Sequence, residues 1–206
     1  MPARTAARNI AVYRRWAPVY DALTGRMLAP SRERALALLG LRPGERVVLP
    51  GVGTGLDLPL LPPGVSAAGI DISPEMLARA RARLPLPGRD IELALADAVQ
   101  FLRERPGAFD AAVLHLVLSV VPDGRACLHA AVAALRPAGR AVVFDKFAPG
   151  GPVSAARRAV NLAASRLGTD ITRPFGPMLA GSPARVVRDD PALHGLYRII
   201  LLERDK

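Results

Sequence analysis

Short apolar runs alternate along this chain with segments whose apolar positions recur every three to four residues. The runs at 46–50, 67–71, 91–96, 109–118 and 140–147 predict strands, and the segments at 56–61, 74–84, 98–105 and 124–135 predict helices. Strand and helix in strict alternation imply βα units and a mainly parallel sheet. Ser73 before Pro74 is a helix start, with a capping hydroxyl followed by a proline whose missing N–H costs nothing there. Pro137-Ala138-Gly139 is expected to end the fourth helix. Beyond Phe147 the pattern changes. Residues 148–152 read as a loop, 153–167 as an amphipathic helix, and 184–187 and 196–202 as two closing strands around a polar turn at Asp189-Asp190-Pro191. The predicted fold class is α/β: a doubly wound, seven-stranded, mostly parallel sheet with a C-terminal antiparallel strand pair. Residues 1–40 are expected to form an N-terminal helical lid or membrane-facing segment, and 41–206 one compact ligand-binding unit.

Composition narrows the class. The chain has 206 residues, half of them hydrophobic, which suits one globular domain rather than a disordered chain. One cysteine, Cys127, excludes an internal disulfide framework and a multi-cysteine metal site. No apolar run approaches the roughly 18 residues of a membrane span, and the first residues lack the apolar core of a signal peptide. The expected location is cytoplasmic. A net charge of +10 favours something anionic: nucleic acid, a lipid surface or a phosphate-bearing substrate. Arg4, Arg8, Arg14, Arg15, Arg26, Arg32 and Arg34 crowd the start of the chain against only Asp21 and Glu33.

The most telling stretch is Val47-Val48-Leu49-Pro50-Gly51-Val52-Gly53-Thr54-Gly55-Leu56. An apolar strand breaks into alternating glycines, whose missing Cβ atoms permit a tight turn and close approach of backbone to ligand. A helix start beyond them offers unpaired N–H groups. Asp71 closes the next strand, where a doubly wound sheet places the acid for a ribose hydroxyl pair. The ligand is expected to be a nucleoside-bearing cofactor. Leu56 stands where a dinucleotide motif wants its last glycine, and too little chain remains for a second nucleotide-binding half, which weakens a nicotinamide reading.

At these residues the chain resembles the class I S-adenosylmethionine-dependent methyltransferases, a Rossmann-like family. The carriers are Gly51-Val52-Gly53-Thr54-Gly55, Gly69-Ile70-Asp71-Ile72-Ser73-Pro74-Glu75-Met76-Leu77, Asp97-Ala98, Phe109-Asp110 and Leu135-Arg136-Pro137-Ala138-Gly139-Arg140. The resemblance implies S-adenosyl-L-methionine as methyl donor, S-adenosyl-L-homocysteine as product and no metal. It implies that Gly51, Gly53, Thr54 and Gly55 border the methionine part, that Asp71 binds the ribose, that Ile72 and Met76 flank adenine, and that Asp97 and Ala98 meet its amino edge. Asp97 also reads as a plain helix cap. The family usually carries an acid two residues before the first glycine; here that position is Leu49.

The stretch Val12-Tyr13-Arg14-Arg15-Trp16-Ala17-Pro18-Val19-Tyr20-Asp21 is similar to the N-terminal signature of bacterial phosphatidylethanolamine N-methyltransferases, and the related ubiquinone/menaquinone methyltransferases share its Tyr-Asp pair. Leu118-Ser119-Val120-Val121-Pro122-Asp123 fits the phospholipid branch. The resemblance implies stepwise methylation of a lipid amine at a membrane surface, with Tyr13 and Tyr20 contacting cofactor or substrate. The spacing of Tyr13, Trp16 and Tyr20 also suits a hydrophobic docking face without chemistry. An alkylamine with a lysine-like pKa costs about 4 kcal/mol to neutralise at pH 7, so a proton acceptor or an apolar pocket is required. His115 is a candidate for cofactor binding or for taking that proton, and equally for a core histidine. Lys146, at the end of the fifth strand, is a substrate-binding candidate with the same two readings, and Arg157, Arg158 and Arg173 are candidates for gripping a phosphate. A quinone or other small molecule is the alternative acceptor. RNA is disfavoured, because His115-Leu116-Val117-Leu118 occupies the place of the Asn/Asp-Pro-Pro-Tyr/Phe segment of base-amine methyltransferases.

Overall fold

The computed structural model describes residues 25–148 and 171–206, together with Arg158, Asn161 and Leu162. One helix, α1, covers 25–39. It is followed by β1 (Arg46–Pro50), β2 (Ser66–Asp71), α2 (Pro74–Arg81), β3 (Asp90–Leu95), α3 (Ala98–Arg103), β4 (Phe109–His115), α4 (Gly124–Ala134), β5 (Leu135–Asp145), α5 (Phe175–Leu179), β6 (Ala184–Ala192) and β7 (Tyr197–Arg204). The seven strands form one sheet in the order β3-β2-β1-β4-β5-β7-β6. β1 to β5 run parallel, whereas β7 is antiparallel to β5 and to β6. The predicted α/β sheet with its closing strand pair is the observed one.

Strands buried on both faces read as unbroken apolar runs, and here alternate residues feed opposite cores. Val48, Ala112, Leu114 and Val143 pack on one side, under Leu102 of α3 and Cys127, Leu128, Ala131 and Val132 of α4. Val47, Leu49, Ala111, Val113 and Val142 pack on the other, under Leu28, Ala35, Leu36 and Leu39 of α1 and Leu77 and Ala80 of α2. The strand order reverses at β1, which pairs with both β2 and β4. A ligand crevice in such a sheet lies outside the carboxyl ends at that switch point.

Several boundaries depart from expectation. Residues 56–61 hold only a 3-10 turn at Leu58–Leu60, too short a stretch between glycines and proline to sustain an α-helix. β4 stops at His115 because Leu116 takes a left-handed conformation (φ 58°). β5 begins directly after α4, at Leu135, and its pairing jumps from Phe109–Leu135 to Ala111–Arg140, so 136–139 bulge out where a helix stop was expected. Asp189-Asp190-Pro191 lies within β6, not in a turn; Asp189 pairs with Arg198 and Asp190 with Arg34 and Arg188. The turn comes at 193–196, where Leu193, His194 and Gly195 all have positive φ. Of the expected helix at 153–167, the described residues Arg158, Asn161 and Leu162 are helical.

Candidate active site

The chain leaves β1 at Pro50 and turns at once. Gly51 (φ 67°) and Gly53 (φ 57°) are left-handed, and a Cβ on Gly51 would stand 2.7 Å from Val117 Cγ2. Only glycine fits that approach. The turn is then tied to β2: Val52 N–H donates to the Ile70 carbonyl (2.9 Å), and Gly53 N–H donates to Asp71 Oδ2 (2.9 Å). Asp71 Oδ1 accepts from Ser73 N–H at 2.9 Å. Burial lifts the Asp71 carboxyl above its ordinary pKa, against the backbone N–H groups that pull it down. Ser73 caps α2 by accepting from Met76 N–H, Asp97 caps α3 by accepting from Gln100 N–H, and Asp123 caps α4 by accepting from Ala126 N–H. Three helix N-termini thus gather on the carboxyl rim of the sheet.

They border a cleft of about 460 Å³, a size typical of small-ligand sites. Gly51, Gly53, Thr54, Asp71, Ile72, Met76, Asp97, Ala98 and His115, all singled out from sequence, line it. Asp97 caps α3 and also lines the cleft. Gly55 does not line the cleft. A Cβ there would meet Leu58 and Ala80 at 2.9–3.1 Å, so this glycine admits close packing of α2 instead.

Neither Lys146 nor Arg173 lines the cleft. Arg173 donates to the carbonyls of Leu118, Val121 and Pro122, bracing the loop after β4 whose Val117, Val120 and Val121 form a cleft wall. Lys146 lies 5.4 Å from the Tyr197 ring centroid, and burial lowers its pKa against the pull of Asp145. Asp145, fully buried, accepts from Ser119 N–H (2.9 Å) and Lys146 N–H (2.8 Å) and so fixes the same loop. Tyr13, Trp16, Tyr20 and Arg157 lie outside the described residues. Among the described residues, no cluster of His, Cys, Asp and Glu is arranged to hold a metal ion.

Two residues that sequence reading passed over sit in the cleft wall. Asp57 opens the 3-10 turn but does not cap it. Its carboxylate instead accepts from Arg32 Nη1 of α1 (2.7 Å) and faces His115 Nδ1 at the end of β4 (2.9 Å). All three are buried and line the cleft. Burial alone would raise the Asp57 pKa, but His115 and Arg32 outweigh it and hold the carboxyl well below the usual range. An ionised Asp57 requires a proton on His115 Nδ1. The one available signal was an acid inside an apolar segment directly after the glycines, in a chain lacking the acid at Leu49.

A family model described as a methyltransferase domain matches residues 48–143. The chain is 34% identical over 196 residues to a phosphatidylethanolamine N-methyltransferase of Cereibacter sphaeroides, covering 93% of this chain and 95% of that one. It is 34% identical over 139 residues to a demethylmenaquinone methyltransferase of Beutenbergia cavernae, covering 67% and 56% respectively. The chain belongs to the S-adenosylmethionine-dependent methyltransferases. Its fold is shared by a methyltransferase solved with the Haloferax volcanii Trm112 activator, at a TM-score of 0.73 and 16% identity over 98% of this chain and 99% of that one.

The residues of this methyltransferase suit the donor its family uses. A left-handed glycine turn brings the Gly51 backbone against Val117 of the cleft wall, a rim carboxylate stands at Asp71, and polar atoms of Arg32 and His115 sit buried at the cleft without partners among the described residues. Among the described residues no helix is long and apolar enough to cross a membrane.

Proposed function

We propose that this methyltransferase N-methylates the amine headgroup of phosphatidylethanolamine and its partly methylated products at a membrane surface. The observation that carries this reading is the similarity to the Cereibacter sphaeroides enzyme, which runs through nearly the whole of both chains. The N-terminal signature around Tyr13, Trp16 and Tyr20 and the Leu118–Asp123 segment support it.

When bound, S-adenosylmethionine supplies a methyl group on a sulfonium, already activated toward a nucleophile. In this reading Asp71 accepts the ribose hydroxyls, Ile72 and Met76 cover the adenine faces, and Asp97 with Ala98 meets its edge, while the Gly51–Gly53 turn lets backbone approach. What remains for the protein is to align an uncharged amine. Val117, Val120 and Val121 make one wall of the cleft apolar. A low-dielectric wall disfavours the ammonium form and offsets part of the roughly 4 kcal/mol needed to neutralise it. The N-terminal segment, residues 1–40, would close the acceptor side with Tyr13, Trp16 and Tyr20, and its arginines would meet anionic headgroups. Association with the cytoplasmic membrane face would then be peripheral. The demethylmenaquinone relative favours one other acceptor, a quinone.

The test is transfer of labelled methyl from S-adenosylmethionine to phosphatidylethanolamine vesicles. Incorporation is expected, raised by anionic lipid and reduced by salt. A protein that binds the donor product yet labels demethylquinone and no phospholipid would move the acceptor to quinones.

A further inference from the structure

The lost acid at Leu49 leaves a chemical task undone. Leu49 is buried (1% exposed) and packs in the core, so it offers nothing to a charged ligand. Across the same cleft the structure holds an acid that its own 3-10 turn does not use. Asp57 sits between a guanidinium and an imidazole contributed by distant parts of the chain, Arg32 from α1 and His115 from β4. The trio is too buried for a chance surface cluster: side-chain exposures are 8% for Arg32, 8% for Asp57 and 1% for His115. Nor is it complete. Arg32 Nε and His115 Nε2 are buried without a hydrogen-bond partner among the described residues. Buried polar atoms in that state cost free energy, and two of them beside one cleft call for a ligand.

Their chemistry specifies which ligand. Asp57 accepts a hydrogen bond from His115 Nδ1–H, which in the neutral imidazole leaves Nε2 as an acceptor backed by a carboxylate; it wants a donor, and best a cation. Arg32 has donors only, and wants an anion. A group presenting an ammonium beside a carboxylate answers both at once, and that is an α-amino acid.

We propose that Arg32, Asp57 and His115 form a clamp for the zwitterionic α-amino-acid end of the methyl donor. Arg32 takes its carboxylate, and His115 Nε2 receives its ammonium. Asp57 is the positioning residue: it fixes the His115 tautomer, orients both neighbours and supplies, through the imidazole, the negative charge that Leu49 cannot. The clamp rests on the donor assignment made above. Phe144, edge-on to the His115 ring at a centroid distance of 5.7 Å, holds the imidazole in place.

Calorimetry with two product-like ligands tests the clamp. S-adenosylhomocysteine carries the α-amino acid; 5′-methylthioadenosine keeps the adenosine and the sulfur and lacks it. The wild-type protein is expected to prefer S-adenosylhomocysteine strongly. Asp57→Asn is expected to weaken that ligand by at least 30-fold while changing 5′-methylthioadenosine by less than threefold. If that variant does not fold, His115→Phe, which keeps a ring against Phe144, carries the same test with an expected selective loss of at least tenfold. Equal losses for both ligands would mean a merely structural trio, and unchanged preference with lost turnover would give His115 to the acceptor's proton; either overturns the clamp. Wild-type protein binding both ligands equally would overturn the clamp alone, whereas binding neither would remove the donor reading as well.

Discussion

Replacing Asp71 by Asn changes one oxygen and one charge at the point where the glycine turn, β2 and the proposed ribose site meet. In the folded protein Oδ2 accepts from the backbone N–H of Gly53 and Oδ1 from that of Ser73, both at 2.9 Å. The amide keeps one acceptor and turns a donor toward the other N–H. Two ribose hydroxyls bound to a carboxylate are worth about 1.5–3 kcal/mol each, against about 1 for a neutral acceptor. One bond lost and one weakened makes a net deficit of about 2–5 kcal/mol, or roughly 30- to 4,000-fold in affinity at about 1.4 kcal/mol per decade. S-adenosylhomocysteine binding by calorimetry reads the loss, and urea unfolding of the same variant reports whether the turn itself has opened. A folded Asp71→Asn protein that binds within threefold of wild type would refute the ribose role.

The same carboxyl predicts a pH dependence. Burial raises the Asp71 pKa above its ordinary value, and the ionised form is the better hydroxyl acceptor, so affinity for S-adenosylhomocysteine should fall on acidification sooner than an ordinary carboxylate allows. Asp57, held far lower, stays ionised through that window, and Asp71→Asn should flatten the profile. Gly51→Ala forces a left-handed alanine, at about 1–2 kcal/mol, and a Cβ into Val117, at about 1–3 more; melting temperature and donor affinity should both drop, and an unchanged melting temperature would contradict the packing. Asp145→Ala strips the acceptor from the buried Ser119 N–H, at about 1–3 kcal/mol, and from the half-buried Lys146 N–H, which a lower urea midpoint should register. The Cys127 thiol, fully buried and pushed up to about 12, should resist alkylation at pH 8 in the native protein and react in urea.

Local chemistry explains which parts could be read before folding. The glycine turn, the Ser73-Pro74 helix start and the carboxylate closing β2 are each specified within a few residues, and each stands where expected. Apolar runs located the strands, most plainly β1, β4 and β5, because strands buried on both faces carry their signal along their own length. Boundaries were lost where conformation depends on a neighbour across the sheet. Leu116 goes left-handed while its N–H bonds to the Phe144 carbonyl, and Asp189 and Asp190 look like a turn until Arg198, Arg188 and Arg34 are seen to pair them into β6. Arg173 resembled a phosphate ligand for the same reason: only the fold reveals the carbonyls it serves. The Arg32–Asp57–His115 trio was the least legible feature. Its members lie 25 and 58 residues apart, and nothing short of the assembled sheet places them together.

The most direct measurement is a crystal structure of this protein with S-adenosylhomocysteine. The ligand should lie across the glycine turn with its ribose hydroxyls within hydrogen-bonding distance of Asp71. Electron density for the ligand away from the β1–β4 switch point, or a ribose turned from Asp71 toward solvent, would contradict the proposed site.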